Sequence, residues 1–355
     1  MLDGPGSRDH YPQRVARVRD LVAVGDDAML AVELVDLAAR NEDVWRFDGA
    51  HVRTVVEVLP PARRHALILD VLDRAAAAAQ PVPVDALLGW LARGLEPGVL
   101  SWRAGRYLID AAAAAEVRAP NDLRVLAEVA VRETGIVPPR LLAVMRRTEK
   151  AYRLGAEALR PWLEKALDPL NVGEPWAEAA NAEAPDPRLL PHALTATGGR
   201  PAAGWSRHAA ALAAGLGTSE CRVLIHHWFT LVSQPRTIRL RRHALYDANE
   251  VLDPHNALAL RGLVYLLAVI PPHPSDPSAV GRLARDAAEK VPGHGPRSQL
   301  VMYAAAHTLE RLGSVPALRE LEQLRARKLP DGFARRVDAA IARRRAALGH
   351  PQPTR

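Results

Sequence analysis

The chain has almost no cysteine. Cys221 stands alone among 355 residues, which excludes an internal disulfide and any cysteine-based metal cluster. Lysine is nearly as scarce: of 47 Lys and Arg, only Lys150, Lys165, Lys290 and Lys328 are lysines, a bias in keeping with a GC-rich genome. Aromatic residues make up 5%, too few for the strands of a β-sandwich and suited to close, alanine-rich helix packing. No window approaches the ~18 uninterrupted apolar residues of a membrane span. The opening MLDGPGSRDHYPQR lacks the apolar stretch of a secretory signal. A soluble protein of the cytoplasm, without contact to a membrane, is the expectation. There is no P-loop, no dinucleotide-binding GxGxxG and no HExxH. No catalytic constellation, cofactor site or metal site is assigned, and the reading inclines to a non-enzyme.

What is present is apolar and unevenly charged. Hydrophobic residues make up 48%, enough for a sizeable core. After residue 280, 15 Lys and Arg stand against 7 Asp and Glu, a net of +8, whereas the first 280 residues hold 32 against 33. The basicity is therefore a patch at one end, able to attract nucleic acid, anionic lipid or an acidic partner.

Apolar residues recur at spacings of three and four along most of the chain, with Pro, Gly or a polar residue every 12 to 20 positions, the rhythm of successive amphipathic helices. Helices are expected over 11–24, 26–40, 51–59, from Pro60-Pro61 into Ala75–Ala79, 83–95, 100–115, 121–134, 140–147 and 149–167. Met29, Val32, Val35 and Ala39 are expected to form the inward face of the second. Beyond a joint the helical text resumes at 202–216, 219–233, 240–251, 256–270, 279–290, 297–312, 315–327 and 332–348. No strand is expected. Helix–turn–helix units of about 35 to 45 residues predict an all-α chain, a HEAT-like α-solenoid of stacked helical hairpins in one or two lobes, with a compact helical bundle as the alternative. The domains read as an N-terminal helical lobe over 1–168, a Pro- and Asn-rich joint over 169–191, a C-terminal helical-repeat lobe over 192–349 and a polar tail over 350–355.

Four segments occur in order: LNVGEPWAEAA from Leu170, LLPHALTATGGRPAAGW from Leu189, LRGLVYLLAVIP from Leu260, and KVPGHGPRSQLVMYAAAHTLERLG from Lys290. In this order they resemble the helical region of the MolR-like proteins. These are large bacterial proteins, often with a WGR module, that carry a domain of unknown function numbered 4132. The resemblance covers roughly residues 170–349. It implies helical repeats and no particular reaction. Two departures stand out. After the Gly-Pro-Arg corner the family pattern continues with a lysine and a Gly-Asn pair, where this chain has Leu300, Met302 and Tyr303. The chain also ends soon after Gly349, before the family's C-terminal domain is expected.

The most distinctive stretch is the Pro292-Gly293-His294-Gly295-Pro296 corner, flanked by Lys290 and Arg297. A glycine turn at a helix start can present backbone N–H groups to a phosphate, with Arg297 adding a charge-assisted contact; the ordinary reading is a tight interhelical corner. In the last helix Phe333, Val337, Ile341 and Leu348 fall on one stripe, with Arg336 and Arg343 together on its flank and Arg344 inside it. That helix reads as a solvated end cap or as a binding patch. Lys290, Gly293, Gly295, Arg297, Arg336 and Arg343 are thus the candidate contacts to an anion or nucleic acid. His226 and His227, adjacent on a helix, diverge by about 100° and do not chelate one ion together. Cys221, after an expected Ser219 cap, reads as a buried structural thiol, and Asp247, Asn249, Glu250 and Asp253 as a solvated acidic cluster. The function expected is a non-catalytic helical-repeat scaffold for a protein or peptide partner. The alternative is a nucleic-acid-binding repeat protein that uses the basic C-terminal end, linked to DNA repair or regulation.

Overall fold

The computed structural model describes residues 11–40, 49–80, 82, 84–152, 155–241 and 245–349. The linker residues 45–48 and the tail 350–355 lie outside them. Among the described residues the chain is all-α, with almost no strand. No helix there is long and apolar enough to cross a membrane. Two compact units are distinguished, one drawn from Met1–Ala112, Arg118–Leu141 and Leu154–Trp162, the other from Ala113–Val117, Leu142–Arg153 and Leu163–Arg355.

In the first unit, α1 (Tyr11–Val24) packs on α2 (Asp27–Arg40) and α3 (Gly49–Val56), α2 on α4 (Pro61–Ala77), and both α3 and α4 on α5 (Asp85–Ala92). α6 (Trp102–Ala113) and α7 (Pro120–Thr134) follow. Pro61 and Pro120 open α4 and α7, where a missing N–H has no helical partner to lose. Gly135 closes α7 at φ 79°, the left-handed cap that glycine adopts freely. The buried face of α2 is Leu30, Leu34 and Leu37, whereas Met29 and Val32 are exposed. This corrects the expected stripe. Both sets satisfy the helical spacing, and the helix turns its larger leucines inward because they remove more apolar area from water. Glu33 shares the buried side, and Arg14 Nε reaches its carboxylate at 2.8 Å.

The second unit is organised around a helix that is apolar on every side. Most of α8 (Pro139–Ala151) belongs to this unit, whereas the single turn α9 (Arg160–Leu163) falls almost wholly in the first; then come α10 (Pro175–Glu183), α11 (Leu189–Leu194), α12 (Ala203–Leu216) and α13 (Thr218–Leu231). They are followed by α14 (Asn256–Val269), α15 (Asp276–Ala288), α16 (Gln299–Leu312), α17 (Val315–Arg325) and α18 (Asp331–Ala347). Every residue of α14 from Asn256 to Leu267 except Leu258 is buried, as expected of a helix apolar all round. α11, α12 and α16 pack against it. α13 packs on α15, α15 on α16 and α17, and α16 on α17 and α18. Phe333, Val337 and Ile341 face inward as the stripe predicts, with Leu348 half-buried against the same core.

Three sequence expectations are corrected here. The stretch 169–191, read as a joint, falls inside the second unit and carries α10 and α11, whose Trp176, Ala177, Leu189 and Leu190 belong to its core. No helix forms at 240–241 or 245–251. The Pro-Gly-His-Gly-Pro corner is a small antiparallel hairpin, β1 (Lys290–Val291) against β2 (Gly295–Pro296). Gly293, at φ 78°, makes the turn, and a Cβ there would clash with the Leu245 carbonyl oxygen. The corner amides are already committed: His294 N donates to Val291 O, Arg297 N to Glu289 O and Ser298 N to Ala287 O at 2.9–3.1 Å. Ser298 Oγ then accepts from Val301 N and caps α16.

Two helical glycines mark close approaches of different kinds. A Cβ on Gly262 would run into the Ala193 backbone, whereas one on Gly281 would meet only the Glu320 carboxylate. A backbone cannot yield and a side chain can. Gly262→Ala is therefore expected to destabilise by about 1–3 kcal/mol through overpacking. Gly281→Ala should stay within about 1 kcal/mol of wild type, because alanine's helix propensity offsets the displaced carboxylate. Urea midpoints of the two variants check this; equal losses would contradict it.

Candidate functional site

Between α13 and α14 the described residues, 232–241 and 245–255, form no helix. A connection of this length is uncommon unless it does something. In place of a helical ladder, its described backbone groups pair with side chains and with carbonyls of other segments, as Thr237 N does with Gly173 O and Leu252 N with Arg297 O, both at 3.2 Å. Asn249 Oδ1 accepts from Leu240 N and Asn249 Nδ2 donates to Leu240 O, both at 2.7 Å. This reciprocal amide clasp is why the apolar spacing at 240–251 does not produce the expected helix. Thr237 Oγ1 and Gly173 N both donate to Glu178 Oε1, at 2.6 and 2.8 Å. Tyr246 OH donates to Glu116 Oε1 at 2.6 Å, and burial together with that carboxylate pushes its phenol up to about 12. The Tyr246 and His294 rings sit 4.9 Å apart, so the loop and the hairpin brace each other.

The end of this loop anchors a buried polar network. Asp253 is fully buried, which corrects the expectation that its acidic cluster is solvated. Asp253 Oδ2 accepts from Arg147 Nη1 at 3.1 Å. Asp253 Oδ1 accepts from Asn171 Nδ2 at 3.0 Å and from His255 N at 2.9 Å. Burial alone would raise the Asp253 carboxyl; the Arg147 and Arg236 guanidiniums and the Arg147 hydrogen bond hold it below the usual range instead. Asn256 Oδ1 accepts from Asn171 N at 2.7 Å while Asn256 Nδ2 donates to Asn171 O at 3.0 Å. Glu174 gathers the rest. It accepts from Asp253 N at 2.7 Å, Asn256 Nδ2 at 2.9 Å and Trp176 Nε1 at 3.1 Å, with Arg236 Nη2 at 3.4 Å. Arg147 also donates to the Glu116 and Ala115 carbonyls at 2.9 and 3.0 Å.

Above the network lies an open cavity of about 810 Å³. Arg236, Arg239, Lys290 and Arg297 line it together with Asp247, Glu250 and Glu289. Two sequence candidates, Lys290 and Arg297, thus meet in one wall. Arg297 is held there, its Nε donating to Glu250 O at 2.8 Å, while Lys290 is exposed and forms no ion pair among the described residues. Gly293 and Gly295 shape the hairpin. Arg336 and Arg343 do not line the cavity. Arg336 stacks over the Tyr303 ring, 5.4 Å from its centre, and Arg343 pairs with Glu310 at 2.7 Å. Sequence reasoning missed Arg236 and Arg239. Both lie in the break between the expected helices 219–233 and 240–251, which Pro235 marks.

The remaining residues singled out in the sequence have structural roles. Cys221 is buried and its thiol is pushed up to about 11 by desolvation; the helix that carries it starts at Thr218 without a side-chain cap, so Ser219 is not one. His226 Nε2 lies 3.1 Å from the buried Asp276, which Arg222 Nε also contacts at 2.9 Å. Arg344 lies over Gly313 at the end of α16, where a cation suits the helix dipole. No group of three or more His, Cys, Asp or Glu side chains among the described residues is arranged to hold a metal ion.

The network sets two expectations. Asp253→Ala leaves Arg147 buried without its carboxylate and should cost about 3–5 kcal/mol. Asp338→Ala removes only the exposed partner of Arg325 and should cost less than about 1 kcal/mol; urea denaturation compares them. The second concerns pH. Burial lowers His255 from 6.5 to about 4, with Arg146 acting in the same direction against the Pro169 carbonyl. Between those values the unfolded chain holds a proton that the folded chain does not. Stability is therefore complete above about pH 6.5 and falls as pH drops toward 4, by up to roughly 3 kcal/mol. His255→Gln should flatten this part of the profile; an unchanged profile would contradict the assignment.

No protein-family model, curated protein or solved structure matches the chain.

Proposed function

We propose that the protein is a non-catalytic helical scaffold whose second unit holds a charged peptide segment of a partner protein in the cavity lined by residues 233–239, 247–250 and the 290–297 hairpin. The observation that carries this reading is the lining: among the described residues, four cations and three carboxylates around about 810 Å³, a volume within the range of ligand sites. Walls of both signs suit a peptide bearing both signs, and complementary charge favours specificity and encounter rate. Among the described residues the lining includes no histidine and no cysteine. The helix contacts favour stacked hairpins over a bundle within this unit, because α12 to α16 each touch the next helix but one, as neighbouring repeats in a solenoid do. The four ordered segments from Leu170 to Gly313 further lead us to propose kinship with the helical region of the MolR-like proteins, which is consistent with a scaffold.

The basic end supports a second reading, nucleic-acid contact. Its support is narrower, since Arg343 is neutralised by Glu310 and exposed Arg336 remains. Fluorescence anisotropy separates the two. Labelled peptides of mixed Lys/Glu sequence are expected to bind at micromolar affinity, and Arg239→Glu with Lys290→Glu should weaken them at least about tenfold without lowering the melting temperature. A duplex that binds while the peptides do not, or peptides indifferent to the double variant, would overturn the peptide reading.

A further inference from the structure

A second recess in the same unit, of about 530 Å³, has a different character. Arg200, Arg207 and Arg311 line it with His307 and Ser206, and no carboxylate among the described residues does. The three arginines come from separate places: the loop before α12, the second turn of α12 and the last turn of α16. All three are exposed and form no ion pair among the described residues. Several other arginines of this unit are paired, as Arg222 is with Asp276, Arg285 with Glu320 and Arg345 with Glu322. Unpaired cations brought together repel one another, and that repulsion is relieved by an anion.

The bland alternative is that each arginine serves its own helix. It holds for Arg311, whose place at the end of α16 suits the dipole. It fails for Arg200 and Arg207. They flank the start of α12, the positive end, and the first turn of that helix has no acidic residue. His307, half-buried at the recess and edge-on to Tyr265 at 5.9 Å, is held below its ordinary value by burial. Arg336, Arg311 and Arg200 act in the same direction and Glu310 opposes them. It is neutral at pH 7 and can serve as a hydrogen-bond donor or acceptor at the rim.

We propose that this recess binds the phosphate group of a small phosphorylated ligand, gripped by the guanidinium forks of Arg200, Arg207 and Arg311. Guanidinium matches phosphate bidentately and keeps its charge at any working pH. The recess is bounded by α12, the end of α14 and α16, a concave pocket of ligand size and not an open basic face, which favours a small molecule over a duplex. The inference is independent of the peptide site, which shares none of these residues.

Isothermal titration of the full chain tests it, with inorganic phosphate, pyrophosphate and a sugar phosphate monoester as probes at physiological salt. One saturable site is expected for at least one probe, weakened tenfold or more in Arg200→Gln/Arg311→Gln. The control Arg319→Gln/Arg335→Gln, two exposed arginines outside the recess, should bind as wild type does. Matching thermal melts exclude misfolding, because every substituted residue is exposed. The proposal is overturned by the absence of saturable binding for all three probes or by equal affinity in the double variant. A short DNA duplex that binds through Arg200 and Arg311 more tightly than any probe would overturn it as well.

Discussion

Burying a helix on every side forces its first amides to find partners without water, and that constraint shapes the second unit. α14 enters the core at Asn256, which is itself fully buried. The chain meets the requirement with Asp253, whose Oδ1 accepts from the amides of His255 and Asn256. A buried carboxylate then needs a cation, and Arg147 supplies it. The arginine's remaining donors need acceptors, which the 115–116 carbonyls provide. Asn171, Glu174 and Arg236 are drawn in by the same accounting, with the buried Arg236 Nε left without a hydrogen-bond partner among the described residues. Such a network is costly when incomplete and specifies one arrangement when complete.

The cavity is a by-product of that closure. Arg236 reaches down to Glu174 and to the Val251 carbonyl and also lines the cavity, so the wall inherits the rigidity of the network. The described residues of 232–255 form no helix, and Asn249, Thr237 and Tyr246 tie them down at three points. The hairpin adds a second wall through Gly293, which lets the turn approach Leu245. A site preorganised in this way loses little entropy when a ligand arrives.

Much of the helical content was legible in the sequence because proline, glycine and serine punctuate it. Ser298 and Ser314 cap α16 and α17, and Pro61 and Pro120 open α4 and α7. Composition misled where side chains replace the backbone ladder. The Pro- and Asn-rich text at 169–191 reads as a joint, yet Asn171 and Glu174 are there to satisfy a core, and Asn249 dissolves an apparent helix at 240–251. Asp253 looked solvated because its burial depends on Arg147, 106 residues away. Of the candidate contacts, Lys290 and Arg297 were legible as a basic pair around a stiff corner. Arg236, Arg239 and the Arg200–Arg207–Arg311 trio were not, since only tertiary packing brings those segments together.

Native-state hydrogen exchange of the Asn171 and Asp253 amides tests the central claim most directly. These amides donate to the side chains of Asn256 and Glu174, so they can exchange only when the network opens. If α14 depends on that network, both should exchange with the same free energy as the amides of Val264–Leu267, in one cooperative unit. Exchange several kcal/mol easier than in the middle of α14, with that helix still protected, would show that the network is a local ornament and that α14 is held by apolar packing alone.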